Sequence, residues 1–448
     1  MGEKMRRGMR RMALLPLLMA LVPLNPVEAA TLGRRVELKS GLTLLVAERP
    51  SIPMVTVQIL VKAGSMQEAK EKAGLAKLTA VLLPLGTGSR TAPEISEAIE
   101  FVGGSLNADA GEDYSTLSLT VLKKDLDVGL ELLADVLLDP AFREAEIARK
   151  VRELKGRIRQ KQEDPGTVAH ETFVATLFGD HPYGRPVEGT EQSLERVTRE
   201  DLVDFHRRYY RPNNSIVAVA GDVTLEEFRR SLEKYLSGWV PMAAPALDPG
   251  SIPRPPGRTA VKVDRGVTQA NIVWGHLGIA RKNPDFYAVS VMNQVLGGGG
   301  LTARLMRAIR EERGWAYDVH SYFSARRVPG PFVVALQTKN ETAQAAIDEV
   351  LRQIRRIREE GVTPEELEET KGFLTGSFPL RIDTNQDVVS FLAAIEFYGL
   401  GMDYPERYPD LIHAVTRDDI LRVARAYLHP DAGILVVVAD PGKAQLPF

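Results

Sequence analysis

The stretches VTREDLVDFHRRYYRPNNSIVAVAGD (residues 197–222) and VTRDDILRVARAYLHPDAGILVVVAD (residues 415–440) decide the fold. They align without a gap at an offset of 218, and ten of the 26 positions are identical, among them Tyr209/Tyr427, Pro212/Pro430 and Asp222/Asp440. Each reads as a helix followed by an apolar strand. One self-similarity at a spacing of about 200 residues indicates a duplicated domain rather than a short-repeat solenoid. The competing reading is a chance likeness between two helix–strand units.

Working outward, residues 241–257 (PMAAPALDPGSIPRPPG) hold six prolines. Proline fixes φ and removes a backbone donor, so this segment reads as an extended linker. It separates residues 30–240 from residues 258–448. VELKSGLTLLVAE reads as a hairpin turning at Ser40-Gly41, and MVTVQILVKAG and YSTLSLTVL alternate with period two. DVGLELLADVLL, EAEIARKVRELKGRIRQKQ and TVAHETFVATLF have helical spacing. In the second half ANIVWGHL and PFVVALQT read as strands and TAQAAIDEVLRQIRRIREE as a helix. Strands in hairpins and helices in pairs predict an α+β fold of two homologous domains.

The chain has 448 residues, 26% of them charged, and no cysteine, which excludes disulfides, iron–sulfur clusters and thiol nucleophiles. Basic MGEKMRRGMRRM, apolar ALLPLLMALVPL and the small pair Val27/Ala29 form the three parts of a secretory signal peptide over residues 1–29. Retention as a membrane anchor is the alternative. Removing it leaves 52 Lys/Arg against 57 Asp/Glu. That acidic balance gives no support to a nucleic-acid partner. The expectation is an exported protein, periplasmic or extracellular, with no later transmembrane segment.

GLAKLTAVLLPLGTGSR (residues 74–90), AIEFVGGSLNADAGEDYSTLSL, FGDHPYGRPVEGT and LGGGGLTARLMRAIREERGWAYDV, in that order, resemble segments of the insulinase-type (pitrilysin) metallopeptidase family. The first lies where that family reads GLAHxLEHxxFxGT. The resemblance spans the mature chain. It implies two halves, each a mostly antiparallel sheet with helices packed on one side, forming one arm of a clam-shell chamber for unfolded peptides.

In that family the zinc helix carries His-x-x-Glu-His, whose spacing puts both imidazoles and the carboxylate on one helix face. The resemblance places the two histidine positions at Lys77 and Val81, the glutamate at Ala80, and the later ligand at or near Arg157. Lysine and arginine are protonated, and valine and alanine have no donor, so no zinc is expected on this chain. None of the seven histidines lies three or four residues from another. There is no Gly-x-Ser-x-Gly elbow or Walker loop. Lys77 and Arg157 are expected to supply the positive charge that zinc gave, or Lys77 is simply solvated or salt-bridged.

TARLMRAIREERG predicts a helix with an apolar stripe of Leu301, Leu305 and Ile309, ended by Gly314, and WAYDVHSYF a strand. The seven-residue spacing of Arg310 and Tyr317 matches a pair that, by the resemblance, holds the substrate carbonyl near the zinc of a closed chamber. Arg313, Glu311 and Glu312 are expected to face solvent. LGGGG reads either as a loop needing positive φ or close packing, or as a flexible peptide contact. Asn107 falls on a strand that touches substrate in zinc-bearing members.

Some bacterial members divide the work between a chain with zinc and a chain with the Arg/Tyr pair. This sequence has the second signature. It is expected to be the non-catalytic, substrate-binding subunit of an exported heterodimeric zinc peptidase, its partner supplying His-x-x-Glu-His and the zinc. The alternative is a scaffold or peptide-binding module without proteolytic role. A homodimeric active peptidase would need a metal.

Overall fold

The structure is a computed structural model that describes residues 32–245, 249–252, 257–444 and 446. The signal-peptide segment, with its cleavage site, lies outside them, as does part of the proline-rich segment. The described residues of that segment form neither helix nor strand.

The first half contributes strands β1 (Arg34–Glu37), β2 (Thr43–Glu48), β3 (Met54–Val61), β4 (Ser105–Ala110), β5 (Ser115–Leu122) and β6 (Ser215–Gly221). Its helices are α1 (Leu75–Leu82), α2 (Ala92–Phe101), α3 (Leu126–Leu138), α4 (Glu144–Glu163), α5 (Pro165–Phe178), α6 (Glu191–Leu194), α7 (Arg199–Tyr209) and α8 (Leu225–Tyr235). The second half contributes β7 (Thr259–Asp264), β8 (Gln269–Leu277), β9 (Ala316–Phe323), β10 (Pro331–Lys339) and β11 (Ile434–Ala439). Its helices are α9 (Phe286–Asn293), α10 (Arg304–Met306), α11 (Ala343–Glu360), α12 (Pro364–Gly376), α13 (Asn385–Tyr398), α14 (Tyr404–His413) and α15 (Arg417–Tyr427).

Two sheets result, ordered β1-β2-β6-β3-β5-β4 and β7-β11-β8-β10-β9. In each, the strand of the repeated segment inserts between a parallel and an antiparallel neighbour: β6 between β2 and β3, β11 between β7 and β8. The preceding helices α7 and α15 sit at the same offset and carry the same start. Thr198 caps Asp201 N–H with Asp201 returning the bond, and Thr416 and Asp419 repeat that capping box. The duplication is therefore one of topology, and the chain is a two-sheet α+β protein. The expected hairpin is present as β1–β2, with Gly41 at φ 78°. Leu301 departs from expectation. It lies in a tight turn over Gly300–Thr302 and is 59% exposed, because the helix begins only at Arg304; Leu305 and Ile309 are buried as expected.

Each half packs its own helices on one face of its sheet. On the first sheet, Val55, Val57 and Ile59 meet Leu78, Leu130 and Leu133. The opposite face of each sheet is covered by a helix from the other half. Helix α13 lies on β3 and β6, and α5 lies on β8 and β11. This is why β6 and β11 are buried along their whole length and read as unbroken apolar runs. Phe173 of α5, fully buried, stands over Gly275 of β8; a Cβ there would come within 2.8 Å of the ring and 2.1 Å of the Phe332 carbonyl. At α13, Gln386 and Ser390 both donate to Gln58 Oε1 at 3.0 Å, satisfying a buried side chain on β3. Arg35 binds Glu396 through two donors, each at 2.9 Å.

Because Phe173 is fully buried and spans the two halves, Phe173→Ala is expected to cost about 3–5 kcal/mol. Urea denaturation measures it. A loss below about 1 kcal/mol would show that α5 does not fasten the halves together.

Candidate functional site

Helix α1 starts at Gly74, whose φ of 94° suits glycine, and buries Leu75, Leu78 and Leu82 toward the sheet. Its first-turn amides are held by a side chain the sequence reading did not pick out. Glu68 is buried and accepts from Gly74 N at 3.0 Å and Ala76 N at 2.6 Å. Burial pushes its carboxyl up to about 8, against the two amides and Arg185, which favour the charged form. Nothing in the local spacing announces it, since Glu68 reaches α1 across an irregular turn.

The four positions that the resemblance assigns to the metal site do not offer a donor set. Lys77 is largely buried and its ammonium pairs with Asp109 on β4. Ala80 is fully buried in the core and Val81 packs at its margin. Arg157, on α4, is exposed and bonds Glu153 one turn back at 2.6 Å. The charge expected to replace zinc is thus Lys77 alone. Arg157 compensates its own helix and does not enter the pocket. Among the described residues no cluster of three or more His, Asp or Glu could hold a metal ion. A zinc ion does not fit here: one position is an ion-paired ammonium, two are hydrocarbon, and the fourth is a cation on the outer face of α4.

Lys77 opens onto a cavity of about 260 Å³ walled by both halves, since Arg326 from the β9–β10 turn lines it with His170 and Glu171 of α5. The walls are cross-paired. Arg326 bonds Glu112 at 2.8 Å and lies 5.0 Å from the Tyr183 ring centre, and Tyr183 donates to Asp113 at 2.6 Å. Lys161 bonds Glu188 at 2.6 Å. Burial lowers the His170 imidazole, with Arg326 adding, and raises the Glu171 carboxyl, with Lys161 opposing. Asn107 and Asp109 are exposed on β4, an edge strand paired only with β5.

The second group is Arg310 and Tyr317. Helix α10 continues as a wide five-residue turn over Arg307–Glu311, with Glu312 N–H reaching back to Arg307 O at 3.0 Å. Such widened turns concentrate at functional sites. Gly314 ends it at φ 63°, as expected. The turn sets the Arg310 guanidinium 4.7 Å from the Tyr317 ring centre. Tyr317 is 83% exposed at the start of edge strand β9, and among the described residues Arg310 makes no ion pair. Glu311 and Glu312 face solvent as expected. Arg313 does not: it bonds buried Glu349 at 3.3 Å and lies 5.3 Å from the Trp315 ring centre, because the wide turn rotates it onto α11. The glycine run packs structurally. A Cβ on Gly297 would meet Ser321 Oγ of β9 at 2.4 Å, and Gly300 has φ 59°.

The two groups are not one site within this chain. Along β9, the six residue steps from Tyr317 to Phe323 cover about 20 Å, and Arg326 of the Lys77 cavity lies beyond.

Two sheets of repeated topology, each covered on one face by a helix of the other half, carry these two groups of residues. Residues 43–191 match the insulinase (peptidase family M16) family and residues 196–374 the peptidase M16 inactive domain. An uncharacterized zinc protease of Mycobacterium leprae is 32% identical over 92% of this chain and 93% of its own length. One of Streptomyces coelicolor is 29% identical over 92% and 91%. The crystal structure of a peptidase M16 inactive domain from Pseudomonas fluorescens superposes with a TM-score of 0.86 at 27% identity, covering 93% of this chain and 99% of that one. The chain belongs to the insulinase-type M16 peptidase family, and its match to the inactive domain fits a non-catalytic member.

Lys77→Ala is expected to lower stability by no more than about 1 kcal/mol, since Asp109 is well exposed and can be hydrated. Thermal unfolding reads it, and a larger loss would give Lys77 a wider structural role. For Glu68 the folded state keeps its proton up to about pH 8, whereas the unfolded carboxyl releases it near 4.5. The folded state therefore binds more protons in that window, and stability falls as pH rises through it. Glu68→Gln should flatten that slope; unfolding free energies between pH 5 and 9 with an unchanged slope would contradict the assignment.

Proposed function

We propose that this chain is the zinc-less, substrate-binding subunit of an exported two-chain peptidase, and that its partner carries His-x-x-Glu-His with the zinc. The observation that carries the reading is the Arg310–Tyr317 pair: an arginine that has no carboxylate partner among the described residues, held over the ring of a solvent-exposed tyrosine. A scaffold gains nothing from presenting such a pair. The zinc-protease names of the relatives support a peptidase setting, and the ion-paired Lys77 face supports assigning the metal to another chain.

On closure, Arg310 and Tyr317 would reach the peptide carbonyl at the partner's metal. The guanidinium and phenol would donate to the oxygen as negative charge develops there. Extended substrate would be held by main-chain hydrogen bonds to the outer edge of β4, beside Asn107 and Asp109. The chamber's closed form would exclude folded proteins and select peptides or unfolded segments.

Co-expression with a candidate zinc chain and a fluorogenic peptide assay test this. This chain alone is expected to be inactive and the pair active. Arg310→Ala or Tyr317→Phe should each lower kcat about 10²-fold, the usual loss of an oxyanion donor. A pair that keeps full activity with both residues replaced, or stoichiometric zinc and cleavage from this chain alone, would overturn the reading. Mass spectrometry of the secreted form should find residue 30 or its neighbour at the N-terminus.

A further inference from the structure

The second half holds a concavity that shares no residue with the Lys77 cavity or with Arg310 and Tyr317. It measures about 400 Å³ and is bounded by β9, α9, α12, α13 and α14, within the range of about 300–1,000 Å³ of small-ligand sites. Its walls are aromatic. Phe378 and Tyr408 stack at 4.4 Å between ring centres, inclined by 19°, and Tyr404 lies 6.0 Å from Tyr408.

Two arginines bracket this pair of tyrosines. The Arg281 guanidinium lies 3.7 Å from the Phe286 ring centre and donates to the Tyr404 hydroxyl at 2.9 Å. Arg381, exposed, lies 5.6 Å from the Tyr408 ring centre and 6.0 Å from that of Phe378. Among the described residues neither arginine has a carboxylate partner, and no Asp or Glu lines the concavity. Elsewhere in the same half Arg304 has Glu366, Arg326 has Glu112 and Arg422 has Asp285. Gln294 also lines the space, and its side chain makes no hydrogen bond among the described residues.

We propose that this concavity binds a carboxylate carried on an aromatic or alkyl body, the acid at Arg281 and Arg381 and the body among Phe378, Tyr404 and Tyr408. The chemistry is complementary on both counts. Planar guanidinium groups recognise carboxylates through paired donors. Stacking on aromatic rings fixes their orientation without consuming the charge. The aromatic walls bury an apolar body but offer nothing to a bare hydrated anion. A carboxylate of this kind comes either as a small free acid or as the C-terminal residue of a peptide.

Calorimetric titration of the full chain with N-acetylphenylalanine, N-acetylphenylalaninamide, inorganic phosphate, and a hexapeptide ending in phenylalanine with a free or amidated terminus tests the proposal. The carboxylates are expected to bind at least about tenfold more tightly than the matching amides, one charge-assisted contact's worth. Arg381→Ala should remove that preference with the thermal midpoint unchanged, since Arg381 is exposed; Arg281→Lys, which keeps charge but loses the planar fork, should weaken it. Tighter binding of the peptide supports the proposal and assigns the source to a chain terminus; tighter binding of the free acid supports it and assigns a small molecule. Equal affinity for acid and amide, affinity for phosphate matching that of the acids, or no binding by any carboxylate overturns it.

Discussion

The architecture depends on the exchange of α5 and α13. A sheet whose central strand is apolar on both faces cannot stop at one layer of helices. Here the second layer for each sheet comes from the other half of the chain. Phe173 over Gly275 is a dry fastening, and Gln386 and Ser390 on Gln58 and Arg35 on Glu396 are polar ones. Neither half buries its own central strand without the other, so the duplicated units fold as partners. The same exchange brings the β9–β10 turn of one half beside the β4–β5 turn of the other, where Arg327 N–H donates to Asp113 at 3.3 Å. That juxtaposition makes the Lys77 cavity a feature of both halves.

Within that frame helix α1 needs no metal ligand to keep its place. Helix α1 is held by its apolar side and by Glu68 at its start, and neither requires a metal. Of residues 77, 80 and 81, Ala80 is fully buried and the other two are partly buried. Lysine there meets Asp109 across the edge strand, while alanine and valine extend the hydrocarbon. The Arg310–Tyr317 pair is separately supported. Arg310 and Tyr317 rest on a widened turn, on Gly314 and on the close approach of Gly297 to β9, so the pair is placed by backbone geometry and not by ion pairing.

Much of this was legible in the chain. The period-two run at β5 and the helical spacing of α4 and α11 carry their own signal, because each buries one face of its own element. Helix α13 carries little, because it is enclosed by a foreign sheet and its own helices, and its apolar residues do not fall into one stripe. Arg313 was misplaced because a wide turn rotates every later side chain relative to an ideal helix. Leu301 was misplaced because the glycines before it delay the start of that helix. Asp109 and Glu68 were passed over because their partners are reached through tertiary structure.

By itself the sequence determined the duplication, the strand and helix classes, the absence of a donor set at residues 77, 80, 81 and 157, and the Arg310–Tyr317 spacing. The duplication and the element classes follow from periodicities that short-range sterics impose; the four metal-site positions and the meaning of the Arg310–Tyr317 spacing follow from the family resemblance. Tertiary structure alone decided which helix covers which sheet, that Lys77 answers Asp109, and that Arg281 and Arg381 share one aromatic concavity. Those pairings join different elements, many of them far apart along the chain, and only the packing of apolar faces brings them within reach.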